Sequence, residues 1–403
     1  MRVLFVTPLL PVPPDNGGAQ RIFGLIQQVR QDHHVTVLSL VGPGDDVSEA
    51  ERMLGRLIAV PVAWTARQPP NAARRRAQLR SLVSLHSTQR RLMAPPALQS
   101  ALDSLLARES FDVMQCEFAP LGLLRTPTTI PRILDAHNIE HDLLRQIARQ
   151  APLLRQLFNM LEWRKLAREE RAAWRQATHC LATSEADAAT IRASVATPVS
   201  VIPNGVDLTA LPFIPLSLGK PERLVFVGTL RYWPNVEGVT WLLQQVLPRV
   251  RAAIPSVEVT LVGSDPPPAL QALARAASVR LTGRVPEVTP WIARAGVVVV
   301  PLRSGGGTRL KILEAFALGR PVVSTSIGAA GLDVRDGQHL LLADTPEAFA
   351  DAIVRLIRDA SLRSQLVAAA RQLVVERYDW ARIGAQYRDL LAHAVAQSTT
   401  RSN

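Results

Sequence analysis

At 403 residues, with a net charge of +12 and 47% hydrophobic residues, the chain is long enough for two domains of about 200 residues each. Two cysteines, Cys116 and Cys180, exclude a disulfide scaffold and suit the cytosol. No run of apolar residues reaches the ~18 needed to cross a bilayer. The basic balance favours anionic partners, acidic lipid or phosphorylated substrates. With no recognised module and 5% aromatic residues, nucleic acid is not among the expected partners.

In chain order, "RVLFVT" (2–7) reads as a buried first strand rather than a leader peptide, because prolines interrupt the apolar run behind it. A helix is predicted over 18–30. Strands follow at 35–40, 57–62, 111–116, 131–136 and 178–183. Continuous apolar strands separated by helices indicate a parallel sheet covered on both faces. After "VSVIPNGVD" (199–207) the pattern restarts, with strands at 223–228, 257–263, 279–283, 296–301, 320–325 and 339–343. Helices are predicted at 236–252, 269–277 and 346–358. The last stretch, 361–397, is helical with a break near "RYDW" (377–380), and the tail has the composition of disorder. The expected fold is α/β: two doubly wound Rossmann-like domains, 1–207 and 208–376, facing an interdomain cleft, with 377–403 returning to the first domain.

In doubly wound sheets ligands sit at the carboxyl ends of strands. Behind strand one, Gly17 and Gly18 open a helix, a possible anion cradle. "DAHNIEH" (135–141) gathers Asp135, His137, Asn138 and Glu140 at a strand mouth, where His137 can meet phosphate or a sugar hydroxyl. Ser184 with Asp187 forms a capping box. In "VGTLRYWPNVEG" (227–238), Arg231 is placed to reach a ligand and Asn235 to cap the next helix. "RSGGGTRLKILEAF" (303–316) follows a buried strand: Thr308 near a helix cap, the Gly305–Thr308 amides exposed, Lys311 about one turn in, Glu314 three residues on. A diphosphate on the loop, Lys311 against it and Glu314 on a ribose is stereochemically reasonable. The only other lysines are Lys165 and Lys220, so Lys311 is unusual in an arginine-rich chain. A Walker loop, an Asp-x-Asp triplet and Cys/His metal spacing are all absent from the sequence.

These stretches, with "VIPNGVD" (201–207), "FVGTLRYWPN" (226–235), "GGGTRLKILEAFALGRPVV" (305–323) and "YDW" (378–380), together resemble the retaining GT-B glycosyltransferases of family four across nearly the whole chain. The resemblance implies an N-terminal acceptor domain, a C-terminal sugar-nucleotide domain and no metal cofactor. It implies catalytic roles for His137, Lys311 and Arg231. Donor contacts would come from Gly305, Gly306, Gly307, Thr308, Arg309, Glu314 and Arg284, and acceptor or phosphate contacts from Gly17, Gly18 and Asn138. Glu314 matches the second Glu of the family's E-x7-E motif, and Gly306 stands where the first would fall. Thr229 stands where Arg is common, which leaves Arg231, Arg309 and Lys311 as phosphate cations. The glycine-rich form resembles a subgroup tied to bacterial exopolysaccharide and cell-surface glycans.

Two alternatives remain open: a sugar-nucleotide epimerase of similar architecture, and a catalytically impaired nucleotide- or glycan-binding relative. The segment 67–93, rich in arginine and free of acids, reads either as a solvated surface helix or as a basic amphipathic helix docking on acidic lipid at the inner face of the plasma membrane, where a lipid-linked acceptor would reside.

Overall fold

The computed structural model describes residues 1–65, 70–149 and 152–402. The chain forms two compact units, Met1–Pro203 with Ile383–Asn403, and Asn204–Arg382. Residues 204–207 go with the second unit because Val206 pairs with Tyr378 and Asp379 through backbone hydrogen bonds.

The first unit holds β1 (Arg2–Thr7), β2 (His34–Val41), β3 (Arg56–Pro61), β4 (Val113–Glu117), β5 (Arg132–Ala136), β6 (His179–Ala182) and β7 (Val199–Val201). They form one parallel sheet in the order β3-β2-β1-β4-β5-β6-β7. β4 and β5 are buried at every residue, as a sheet covered on both faces requires. Leu4, Val6, Met114, Leu134 and Trp174 sit in its core.

The second unit holds β8 (Lys220–Val227), β9 (Glu258–Val262), β10 (Arg280–Leu281), β11 (Ala295–Val300), β12 (Val322–Ser324) and β13 (Leu341–Leu342). Their order is β10-β9-β8-β11-β12-β13, again all parallel. Phe226, Val298, Phe316 and Phe349 lie in its core. Both sheets are thus doubly wound, and each reverses its strand order once, beside β1 and β4 in the first and beside β8 and β11 in the second. Those reversals are where the crossover helices diverge and leave a crevice.

Three local differences from the sequence expectation have simple causes. The helical run beginning at Trp233 continues to Ala253 but takes a π-turn at Leu242–Val246. Pro248 follows immediately, and its missing N–H breaks the regular ladder. The segment 67–93 is not one amphipathic helix: helices Asn71–Leu82 and Thr88–Met93 are separated where Ser87 caps the second, and 66–69 lie outside the described residues. The helix Trp380–Ser402 runs through the tail whose composition pointed to disorder. The break near 377–380 is present, between helices Ala360–Arg377 and Trp380–Ser402.

Candidate functional site

In the first unit three strand ends converge. Beyond β1, Asn16 caps the helix Gly17–Val29 by accepting from the Ala19 amide at 3.0 Å. Beyond β4, Phe118 holds a left-handed φ of 66°, a strained conformation for a bulky residue. Its ring stacks on His137, centroids 3.9 Å apart. Beyond β5, His137 is buried, with Nε2 2.7 Å from Glu117 Oε2 and 3.5 Å from Asp135 Oδ2. A Cβ on Gly18 would stand 3.7 Å from His137 Nδ1, so the other ring nitrogen faces the glycine turn.

A buried network fixes this ring. Both Asp135 oxygens accept from Arg21, Nε and Nη2 each at 2.7 Å. Arg21 also donates to the Ile202 carbonyl. Glu117 accepts from Gln115 Nε2 at 2.8 Å, and Gln115 in turn accepts from the Tyr387 hydroxyl. Burial pushes the Glu117 carboxyl up, and Asp135 adds to it. Burial opposes ionisation of Asp135 as well, but Arg21 outweighs it and holds that carboxyl below its usual value. Among the described residues, Glu117, Asp135 and His137 form a group with the donor set of a metal site, their ligand atoms within 4.8 Å. The Arg21 guanidinium already supplies the cation there. Asn138 donates to Glu140 at 3.2 Å at the rim of the same cluster.

In the second unit the loops after β8 and β11 meet. The helix Leu310–Ala317 begins at Leu310, so Lys311 lies in its first turn rather than one turn in. Lys311 Nζ is 3.3 Å from Asn235 Oδ1 and 4.3 Å from the Phe226 ring centre. A Cβ on Gly228 would stand 2.8 Å from that amine. Asn235 is inside its helix rather than at the cap; its Nδ2 donates to the Thr229 carbonyl at 2.9 Å. The sequence places Asn235 correctly near the site but assigns the wrong task, because Pro234 starts the helix earlier.

Gly305 and Gly307 take φ of 120° and 72°, which bend the chain over the helix end. Thr308 accepts from Asn204 Nδ2. Arg309 folds back to donate to the Gly306 carbonyl, while its Nε and Nη2 and the buried Ser304 Oγ find no hydrogen-bond partner. Burial, then the neighbouring Arg309, lowers Lys311 to about 7. Glu314 lies half-buried on the same helix. Arg231, in the turn after β8, is exposed. Arg284 is also exposed and follows β10, the edge strand two places from β8.

The structure therefore groups Gly18 with His137 in one unit, and Gly305–Arg309 with Lys311 in the other. Sequence reasoning missed Arg21, Glu117, Phe118 and Asn204. "QCEFAP", a strand ending in an acid and an aromatic beside the reversal point, was the available signal for two of them.

Residues 16–210 match the family described as Glycosyltransferase Family 4, and residues 221–359 match the one described as Glycosyl transferases group 1. A phosphatidyl-myo-inositol mannosyltransferase of Mycobacterium leprae is 34% identical over 194 residues, covering 46% of this chain and 51% of that protein. The chain spans about half the length of the curated relatives it matches. A sucrose-phosphate synthase from Thermosynechococcus elongatus superposes with a TM-score of 0.73 at 18% identity, covering 98% of this chain and 100% of that one. Anabaena HepE in complex with UDP-glucose gives 0.68 at 17% identity, covering 98% and 100%. At such identities the two structures establish the fold.

Proposed function

Because the chain belongs to the family four, group 1 glycosyltransferases, with its two halves matching the family's two domains, we propose that it moves a sugar from a nucleotide-sugar donor to a glycan or lipid-linked acceptor. The observation that carries this reading is the second unit's reversal point, where the glycine-bent Gly305–Thr308 loop leads into the helix Leu310–Ala317 and Lys311, in that helix's first turn, reaches Asn235 behind β8. Such a place favours an anion twice over, through the helix dipole and through a cation. In a transfer reaction, negative charge grows on the leaving diphosphate, and preorganised donors there lower the barrier. Glu314 holds donor ribose hydroxyls. In the first unit, His137 presents Nδ1 to a sugar hydroxyl beside Gly18.

Transfer proceeds with retention, the donor phosphate itself helping to take the acceptor proton, and with no resident metal. The similarity to enzymes named for phosphatidyl-myo-inositol makes a lipid-linked acceptor the first class to test. Mannose is among the first donor sugars to try, because those relatives are named mannosyltransferases. A role in cell-surface or exopolysaccharide synthesis on the cytoplasmic side follows from the same reading. Among the described residues no helix is long and apolar enough to cross a membrane.

The test is a panel of UDP-, GDP- and ADP-sugars scored for thermal stabilisation, then for hydrolysis and transfer with and without chelator. Stabilisation by one nucleotide sugar with chelator-insensitive turnover is expected. Interconversion of donor sugars without acceptor would replace the reading with an epimerase. Binding without any turnover would make the protein a non-catalytic relative.

A further inference from the structure

The helix Leu153–Gln176 is sorted by charge across its faces. Its three acids, Glu162, Glu169 and Glu170, are all buried. Glu162 accepts from Ser81 Oγ and the Thr88 amide, Glu169 from Ser87, and Glu170 from the Glu140 and His141 amides. Every arginine of the helix is exposed. Along one outward stripe, three- and four-residue steps take Leu154, Leu157 and Leu161, then Arg164, Arg168 and Arg171. The face is leucine at its start and arginine afterwards. Leu154 is 84% exposed.

A second apolar patch sits beside the middle of this helix. The helix Asn71–Leu82 and the turn after it expose Leu79, Leu82, Val83 and Leu85, with Val83 at 90%. Hydrogen bonds seat this turn on the long helix: Ser81 on Glu162, Lys165 on the Ser81 carbonyl, Arg168 on the Leu85 carbonyl. Arg74, Arg75, Arg76 and Arg80 are exposed on the same short helix, which has no acid.

Contiguous exposed leucines are unfavourable in water and mark an interaction surface. Arginines flanking them, with all acids turned inward, select a negatively charged occupant. A bilayer of anionic phospholipid supplies both an apolar boundary for the leucines and phosphates for the guanidinium groups. We propose that this two-helix face docks on an anionic phospholipid bilayer, leucine end inserted and arginine ladder against the head groups. The proposal deepens the lipid-acceptor reading above by naming the surface that meets the membrane. It also moves the centre of that surface from the basic segment 67–93 to the start of the Leu153–Gln176 helix.

The experiment is flotation of the full chain with phosphatidylcholine vesicles, with and without phosphatidylglycerol, at low and high salt. Wild type binds only the anionic vesicles, and salt weakens binding. Leu154→Ser/Leu157→Ser/Leu161→Ser lowers binding about tenfold or more, and Arg164→Glu/Arg171→Glu/Arg175→Glu abolishes the anionic preference. Leu218→Ser, an exposed leucine of the other unit, leaves binding unchanged. Both triple variants replace exposed side chains, and circular dichroism verifies that they fold. Wild type that ignores anionic vesicles at low salt overturns the proposal, as do triple variants that bind like wild type. A leucine-dependent dimer that vesicles fail to dissociate assigns the face to a second copy and also overturns it. Donor turnover is measured without vesicles: its absence from wild type alongside normal vesicle binding removes the transferase reading and leaves the docking face standing.

Discussion

Glu117 and His137 share a hydrogen bond of 2.7 Å between Oε2 and Nε2, buried below the turn formed by Gly18. The Glu117 carboxyl engages Nε2, which leaves Nδ1 as the ring nitrogen facing the turn. Phe118 closes the other face of the ring. Glu117→Gln keeps the shape and removes the charge. Turnover should fall about ten- to hundredfold, the scale for groups that orient a reacting histidine, with donor stabilisation in thermal melts unchanged. A wild-type rate and pH profile in this variant would dismiss the orienting role.

Lys311 carries opposite consequences for stability and activity. Its amine is lowered to about 7 by burial, against 10.5 in the unfolded chain. Between those values the unfolded chain holds a proton that the folded chain has shed. Stability therefore rises with pH across that window. Lys311→Met should raise the melting temperature at pH 7 and flatten this dependence, while lowering turnover by about 10²-fold, as loss of one electrostatic donor does. Donor binding by wild type should weaken as pH rises through about 7, because the neutral amine attracts no phosphate. Melting curves and donor titrations from pH 6 to 9 measure both.

The Arg21–Asp135 pair is fully buried and bidentate. Removing one partner strands a charge in a low-dielectric site. Arg21→Met should destabilise by about 3–5 kcal/mol, and pairing it with Asp135→Leu should recover most of that. Urea denaturation of the single and double variants provides the comparison; an additive double variant would contradict the account.

Gly384 lies against Gln28, where any Cβ would overlap the amide. The residues from Ile383 onward pack in the first unit through this contact, through Tyr387 on Gln115 and through Arg388 on the Gln28 carbonyl. Gly384→Leu should cost about 1–3 kcal/mol by overpacking and raise hydrogen exchange along Ile383–Leu391.

Gly306 differs from its neighbours, since only Gly305 and Gly307 hold left-handed φ. Gly306→Glu, which inserts the first acid of the E-x7-E pattern that the family resemblance implies, should therefore fold normally and alter the donor KM. Gly305→Ala and Gly307→Ala should each lose about 1 kcal/mol or more. Thermal melts separate the two classes.

Much of this was legible in order along the chain. Buried strands show as unbroken apolar runs, and the glycine-bent turn into a helix at "GGGTRLK" was readable behind one of them because glycine conformation and helix polarity are local properties. Ser184 was readable as a cap for the same reason, and its hydroxyl does accept from the Asp187 amide. Asn235 was misread because cap chemistry depends on where the helix starts, and Pro234 shifted that start.

By itself the sequence determined the two doubly wound sheets and the strand ends where the candidate site residues gather, which follow from periodicity and short-range spacing, and its motifs carried the family resemblance. Only the tertiary structure decided which distant groups share one buried charge balance. Arg21 and Asp135 lie 114 positions apart, and Gln115 and Tyr387 lie 272 apart. It also decided that the acids of Leu153–Gln176 face inward while the arginines face out. The physical reason is the same in each case. Desolvating a charge is tolerable only beside a partner, and packing, not spacing along the chain, chooses that partner.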